Sequence, residues 1–236
     1  MMMTEQLAPA HIPPGQRFYA IGDVHGCADQ LDELHALIRR DIAARPGPAI
    51  TLIHLGDYID RGPDSAGVVA RIQRPFGPAE TINLTGNHED LFLAALAGDR
   101  SAVELWMNNG GGETLASWGV PPRTRPRDWA IHIPPAQIAA LRALTLHYSI
   151  GGYFFVHAGI RPAVALADQT RQDLLWIRDP FLRFAGPLPA VIVHGHTPVD
   201  TPTLRPNRIG IDTGAVLGGP LTCLVLEGNR LGFLQV

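Results

Sequence analysis

Acidic, amide and imidazole side chains recur beside glycines at five places in this chain. The motifs are Gly22-Asp23-Val24-His25-Gly26, Gly56-Asp57-Tyr58-Ile59-Asp60-Arg61-Gly62, Gly86-Asn87-His88-Glu89, His157-Ala158-Gly159 and Gly195-His196-Thr197. Carboxylate, carboxamide and imidazole groups are the donors that suit divalent first-row metals, and glycine lets the backbone turn sharply beside an ion. Asp23 and His25 lie two residues apart, so in an extended segment both side chains point to the same side and can hold one cation. Asp57 has two carboxylate oxygens and can bridge two ions. Asn87, His157 and His196 then offer a carbonyl oxygen and two imidazoles to the second. Two ions about 3.5–4 Å apart clamp both the attacking and the leaving oxygen of an in-line displacement, which is the chemistry such a donor set would serve.

His88 stands beside Asn87 and is expected to point away from it. Protonated, it could donate to a leaving-group oxygen, with Asp60 orienting the imidazolium; a hydrogen-bonded structural pair is the alternative. Arg61 and Arg178 are the candidates for a phosphate clamp, because a guanidinium fork matches two phosphate oxygens at once.

Strands must bring these motifs together. Four of the five follow β-branched, apolar runs. The order strand, motif, helix repeats three times: Arg17 to Ile21 and then a helix from Asp29 to Ile42; Ile50 to Leu55 and then a helix capped by Asp64 or Ser65; Thr81 to Leu84 and then a helix from Asp90 to Ala97. That repetition predicts an α/β fold with the functional residues on one sheet edge. Between Arg100 and Leu146 the rhythm breaks into helical stretches around a Pro/Arg-rich loop, which predicts a helical cap inserted between sheet halves. Strands resume at Tyr153 to Val156, Ala190 to Val193, Ile209 to Ile211, Leu221 to Leu226 and Leu231 to Gln235. The last three are closely spaced around Gly-rich turns and are expected to form an antiparallel finish.

The chain has 236 residues and 46% apolar content, enough for one sizeable core, so residues 17–236 are expected to form a single domain with its cap at about 100–146. Residues 1–16 show no basic segment followed by an apolar one, so they are not read as a signal peptide, and they are expected to fray. The formal charge of −3 leaves no electrostatic footprint for nucleic acid or an anionic membrane, and no apolar run reaches the length of a span. All 19 basic residues are arginine, which excludes lysine-dependent Schiff-base and P-loop chemistry. Cys27 and Cys223 form neither a C-x-x-C pair nor a disulfide framework, consistent with a reducing cytoplasm.

Together the five motifs resemble the phosphoprotein-phosphatase branch of the calcineurin-like metallophosphoesterases, especially the small bacterial and phage serine/threonine phosphatases and the symmetrical diadenosine tetraphosphate hydrolases. The resemblance spans roughly residues 17 to 216, and five motifs in order are far more specific than any one. It implies a two-sheet β-sandwich flanked by helices, with two divalent ions, Mn²⁺ by preference and Fe²⁺ or Zn²⁺ as alternatives, at the sheet edge. Carried over by position, Asp23, His25 and Asp57 bind the first ion, and Asp57, Asn87, His157 and His196 the second. His88 with Asp60 supplies the general acid, and Arg61, Arg178 and Asn87 hold phosphate. Arg178 is placed through Leu174-Leu175-Trp176-Ile177-Arg178. Thr85 departs from the arginine that many relatives carry before this motif. The implied reaction is hydrolysis of a phosphate ester by in-line attack of a hydroxide bridging the ions. The substrate is a phosphoprotein or small phosphorylated molecule, with a serine/threonine phosphatase as the first reading, a symmetrical diadenosine tetraphosphate hydrolase as the second and a non-catalytic metal-binding module as the third.

The remaining chemically capable residues have plainer expectations. His54 and Cys223 sit in strands and read as core, His194 as support for His196, and Cys27 as a small buried hydrophobe. Asn108 to Gly112 either lines the substrate mouth or ends a helix; the sequence allows both. Trp106, Trp118 and Trp129 are expected to bind the cap together, and Trp176 to pack.

Overall fold

Strand β2 (Gln16–Ile21) sends Phe18 and Ala20 to one face and Tyr19 and Ile21 to the other, and all four are buried. A strand covered on both faces belongs in the middle of a layered fold. The computed structural model, which describes residues 6–236, has that form. The first sheet contains β1 (Gln6–Leu7), β2, β3 (Ala49–His54), β4 (Glu80–Asn83), β10 (Thr222–Glu227) and β11 (Arg230–Gln235), in the order β1-β11-β10-β2-β3-β4. The second contains β5 (His147–Ile150), β6 (Tyr153–Val156), β7 (Val191–His194), β8 (Thr203–Arg205) and β9 (Arg208–Gly210), in the order β5-β6-β7-β9-β8.

Period-two alternation divides the core into layers. Phe18, Ala20, Ile53 and Leu55 meet Tyr153, Phe155, Val191 and Val193 between the two sheets. Tyr19, Ile21, Leu52 and Val225 point the other way, onto α1 (Ala28–Ala44) and α2 (Ser65–Ile72). Phe154, Val156 and Ile192 face outward from the second sheet, where α7 (Arg171–Trp176) contributes Leu174 and Phe181 follows it. Each fully buried large side chain in these layers stabilises the sandwich by about 1.5–3 kcal/mol. The chain thus forms two mixed sheets flanked by helices.

β2, β3 and β4 pair in parallel, so their C-terminal ends, where the first three motifs begin, lie side by side. β6, β7 and β9 are likewise parallel. After β4, α3 (Asn87–Leu96) leads into the cap, which runs through α4 (Arg100–Trp106), a π-turn at Met107–Gly111, α5 (Gly112–Ser117), a 3-10 turn at Pro126–Ile131 and α6 (Pro135–Arg142). The cap packs on α2 and α3. Trp106 meets Trp129 with ring centroids 5.4 Å apart, and Trp118 stacks on Phe92 at 5.4 Å.

Three expectations change. Residues 6–16 do not fray: Gln6–Leu7 pairs with β11, Ile12 is only 3% exposed between the sheets, and Tyr153 Oη donates to Ala10 O. Residues 1–5 lie outside the described part. The antiparallel finish is split, because β10 and β11 form a hairpin in the first sheet whereas β9 joins the second, parallel to β7. β9 is drawn there by Ile209, which enters the inter-sheet core. The edge strands β5 and β8 escaped notice because each is short and half exposed, with little apolar signal. No helix among the described residues is long and apolar enough to cross a membrane.

His54 is a core histidine, as expected. Its Nδ1 faces Asn83 Oδ1 at 2.8 Å and its Nε2 faces His35 Nε2 at 3.3 Å. Burial pushes His35 down to about 4 and His54 down to about 3. Both rings are therefore neutral when folded and must resist the proton that the unfolded chain takes up below its ordinary pKa of about 6.5. Their contribution is complete above that value and is lost as pH falls toward 4. For His35 this amounts to about 3 kcal/mol at pH 4. The unfolding midpoint is expected to fall over that window, and His35→Gln to flatten the fall; an unchanged slope in the variant refutes the assignment.

Candidate active site

Tight turns at the strand ends carry the candidate residues. Five of the seven non-glycine residues with positive φ among the described residues are His25 (44°), Asp57 (51°), Asp60 (74°), Arg61 (68°) and His196 (66°). Such backbone is costly for residues with a side chain and persists where the surroundings over-determine it, which is a mark of functional sites. The turns interlock closely. A Cβ at Gly86 would collide with the Asp57 carboxylate, and one at Gly195 with Asp23 Oδ1. These positions exclude any side chain because acidic groups of neighbouring motifs press against the backbone.

Asp57, 2% exposed, lies at the centre. Its Oδ2 is 3.4 Å from His25 Nε2, 3.4 Å from His157 Nε2 and 4.0 Å from His88 Nε2. Among the described residues, two three-residue groups could hold a metal ion: His25, Asp57 and His88, and Asp57, His157 and His196. Asn87 joins the second, with Oδ1 at 2.9 Å from both His157 Nε2 and His196 Nδ1. Asp23 enters from the other side, and its Oδ2 accepts the His196 backbone N–H at 2.9 Å. Five of the six expected ligands lie in or against these groups, Asp23 contacts them through the His196 backbone, and the first group contains His88 where Asp23 was expected.

The hydrogen bonds on the outer side of each ring test whether this donor set fits a cation. His25 Nδ1 lies 2.8 Å from Ile59 O and His157 Nδ1 lies 3.0 Å from Leu55 O, so both nitrogens carry protons and both Nε2 atoms are acceptors. His157 Nε2 and Asn87 Oδ1 therefore face each other as two acceptors at 2.9 Å. Asp23 Oδ1 is buried and has no hydrogen-bond partner. Buried acceptors opposed in this way are costly until a positive charge lies between them, so the residues present fit divalent metal.

Protonation states agree with that fit. Burial pushes His25 and His196 down to about 3 and lowers His157, leaving neutral imidazoles. Burial raises the Asp57 carboxyl, and only positive charge on the surrounding histidines, His157 foremost, would hold it below the usual range. Asp23 is raised by burial and by the nearby Asp212 and Asp57 carboxylates.

His88 makes a separate pair. Its Nδ1 lies 2.6 Å from Asp60 Oδ2, and both side chains are buried. Burial would lower His88, but Asp57 and Asp60 together outweigh it and raise the ring. Arg61 Nη1 and Nη2 lie 3.0 Å from His25 Nε2 and 2.9 Å from His88 Nε2, donating to both lone pairs. The His88 proton is therefore on Nδ1, toward Asp60, while Arg61 occupies this position. Arg178 Nε lies 3.4 Å from His196 Nε2, so both candidate arginines reach the cluster.

The calcineurin-like phosphoesterase profile matches residues 16–224. The chain belongs to that family. It is 30% identical over 221 residues to serine/threonine-protein phosphatase 1 of Salmonella typhimurium, covering 86% of this chain and 89% of that one. It is 28% identical over 225 residues to the asymmetrical bis(5'-nucleosyl)-tetraphosphatase PrpE of Anoxybacillus flavithermus, covering 86% and 88%. Among solved structures, one described as a putative diadenosine tetraphosphatase superposes with a TM-score of 0.65 at 23% identity, over 96% of this chain and 98% of the other. The chain is accordingly a metallophosphoesterase, a hydrolase of a family that uses divalent metals.

The sequence reading missed three contributors to this calcineurin-like site. Glu89, fully buried, accepts from the backbone N–H of Asp57 (2.9 Å), Tyr58 (2.8 Å) and Gly86 (2.9 Å), tying two motif turns together. Its place three residues after the glycine that starts α3 is the capping-box position, and that signal was available. Asp212 follows β9, accepts Gly214 N at 3.0 Å and is pushed up to about 6, chiefly by burial. It repeats the pattern of an apolar strand followed by an acid and a glycine. Trp106, expected only to pack, donates Nε1–H to Asp60 Oδ2 at 2.8 Å. His194 lies edge-on to Phe181 at 5.0 Å, in the second sheet's outer layer.

Glu89→Gln would set an amide N–H₂ among backbone donors. A loss of about 2–3 kcal/mol in unfolding free energy is expected, with weaker metal retention. A denaturant midpoint within experimental error of wild type would show that the clamp contributes nothing.

Proposed function

We propose that this chain is a dinuclear phosphoesterase that removes phosphate from serine or threonine side chains. Asp23, His25 and Asp57 would hold one ion, and Asp57, Asn87, His157 and His196 the other. When bound, a divalent pair supplies a hydroxide-equivalent nucleophile at neutral pH and neutralises charge on the phosphoryl oxygens. Arg61 and Arg178 bind the phosphate; a charged phosphate oxygen is a stronger acceptor for the Arg61 fork than the two neutral rings it now touches. His88, freed of that contact, takes a proton on Nε2 and delivers it to the departing oxygen while Asp60 holds Nδ1–H.

One observation carries the choice of substrate class, the buried 2.6 Å pairing of His88 Nδ1 with Asp60 Oδ2. A positioned acid matters most when the leaving group is a poor one, and a serine or threonine alkoxide is a far poorer leaving group than a nucleotide phosphate. A second reading, hydrolysis of dinucleoside polyphosphates, is supported by the likeness to PrpE along nearly its whole length. Turnover of a phosphothreonine peptide is therefore expected to exceed turnover of diadenosine tetraphosphate, and the reverse order would favour the second reading.

His88→Asn is expected to lower peptide turnover by about 10²-fold or more without changing metal content. Wild-type turnover in that variant would remove His88 from the mechanism. Elemental analysis of the active protein is expected to give two ions per chain, and chelation to abolish activity until Mn²⁺ is restored. Full activity in a verified metal-free sample contradicts the dinuclear reading.

A further inference from the structure

The cap turns inward at its π-turn. Between α4 and α5 the chain kinks, where Asn109 (φ −102°, ψ 15°) and Gly110 (φ 98°, ψ 19°) leave helical geometry and Gly110 takes a left-handed conformation that favours glycine. Gly110 O accepts the Arg61 backbone N–H at 3.2 Å. A Cβ at Gly110 would lie 2.7 Å from Arg61 N, and one at Gly111 would lie 2.6 Å from the Trp106 ring. The two glycines let the turn close on both. On either side of it, Trp106 and Thr114 reach Asp60.

Their contacts engage both Asp60 oxygens. Trp106 Nε1 donates to Oδ2 at 2.8 Å, the same oxygen that His88 Nδ1 approaches at 2.6 Å. Thr114 Oγ1 donates to Oδ1 at 2.6 Å and accepts from Asp60 N at 2.7 Å. Ser65 Oγ also accepts from Asp60 N at 3.0 Å and lies 2.9 Å from Thr114 Oγ1. An indole serving only to fill space could place its N–H on any carbonyl; this one is on the oxygen that orients the proposed acid. With two oxygens and three donors, the carboxylate has no alternative rotamer that keeps its bonds. Its lone pairs are also partly used, so the proton it shares with His88 stays on the imidazole.

We propose that Trp106 and Thr114 are positioning residues for His88, acting through Asp60, so that the cap and the proton-transfer pair form one mechanical unit. The proposal rests on the general-acid reading above. It gives the Asn108–Gly112 run a function as the turn that sets both residues, and it explains why the cap is bonded to the residue behind the acid.

The test compares leaving groups. Trp106→Phe keeps a packed ring without the N–H, Thr114→Val removes the hydroxyl, and Thr114→Ser restores it. Each is assayed on a phosphoserine peptide and on substituted phenyl phosphates of falling leaving-group pKa, with metal content measured in parallel. Trp106→Phe and Thr114→Val are expected to lose about tenfold on the peptide and little on the 4-nitrophenyl ester, with Thr114→Ser near wild type. In metal-free protein, the low-field His88 Nδ1 proton resonance is expected to shift or broaden in Trp106→Phe and Thr114→Val and to return in Thr114→Ser. Equal losses on both substrate classes, or an unmoved resonance, overturn the proposal. His88→Asn in the same series separates the two levels. If it shows no leaving-group dependence, the general-acid reading fails; if it does and the cap variants do not, only the positioning role fails.

Discussion

Everything around Asp57 is shaped by one electrostatic burden: a buried carboxylate surrounded by imidazoles whose lone pairs point inward. His25 and His157 each spend their only proton on a backbone carbonyl, Ile59 O and Leu55 O, and so bring unprotonated nitrogens to within 3.4 Å of Asp57 Oδ2, of which that of His25 meets a donor, Arg61. A cluster of opposed acceptors does not hold itself together. The rest of the fold must force it, and the left-handed turns at His25, Asp57 and His196 record that force locally.

The forcing elements are identifiable. Parallel pairing of β2, β3 and β4 places three strand ends in a row, and parallel pairing of β6, β7 and β9 does the same in the other sheet. The inter-sheet core of Phe18, Ile53, Phe155 and Val193 fixes the distance between the two rows. Glu89 then ties the second motif to the third by accepting backbone N–H groups from both. The anion that does this is itself buried and pushed up to about 7, by burial first and Asp57 second, so the clamp adds to the same burden that a bound cation would relieve.

The cap belongs to the same arrangement. Asp60 and Arg61 lie in one turn of the second motif, yet the cap supplies partners for both: Trp106 and Thr114 for the Asp60 carboxylate, Gly110 O for the Arg61 backbone. A segment that could have served only to cover the site is bonded into it. The cap and the second motif are thus joined through a few short polar bonds and the kink at Asn109–Gly110.

By itself the sequence determined the donors and their order. Residue type is a local property, and five glycine-flanked motifs placed at strand ends marked six candidate donors and the neighbouring His88 and Asp60, while the break in their rhythm marked the helical cap. The period-two patterning of β2, β3, β6 and β7 likewise made the buried strands legible. What only the tertiary structure decided are the relations between distant segments. It showed that β9 leaves its sequence neighbours for the second sheet, that residues 6–16 are tied down by β11, that Glu89 spans two motifs and that Trp106 reaches Asp60 across 46 positions of sequence. A hydrogen bond between remote residues leaves no periodicity and no composition bias in either segment. Its partners are chosen by the geometry of the packed layers, which exists only once the chain has folded.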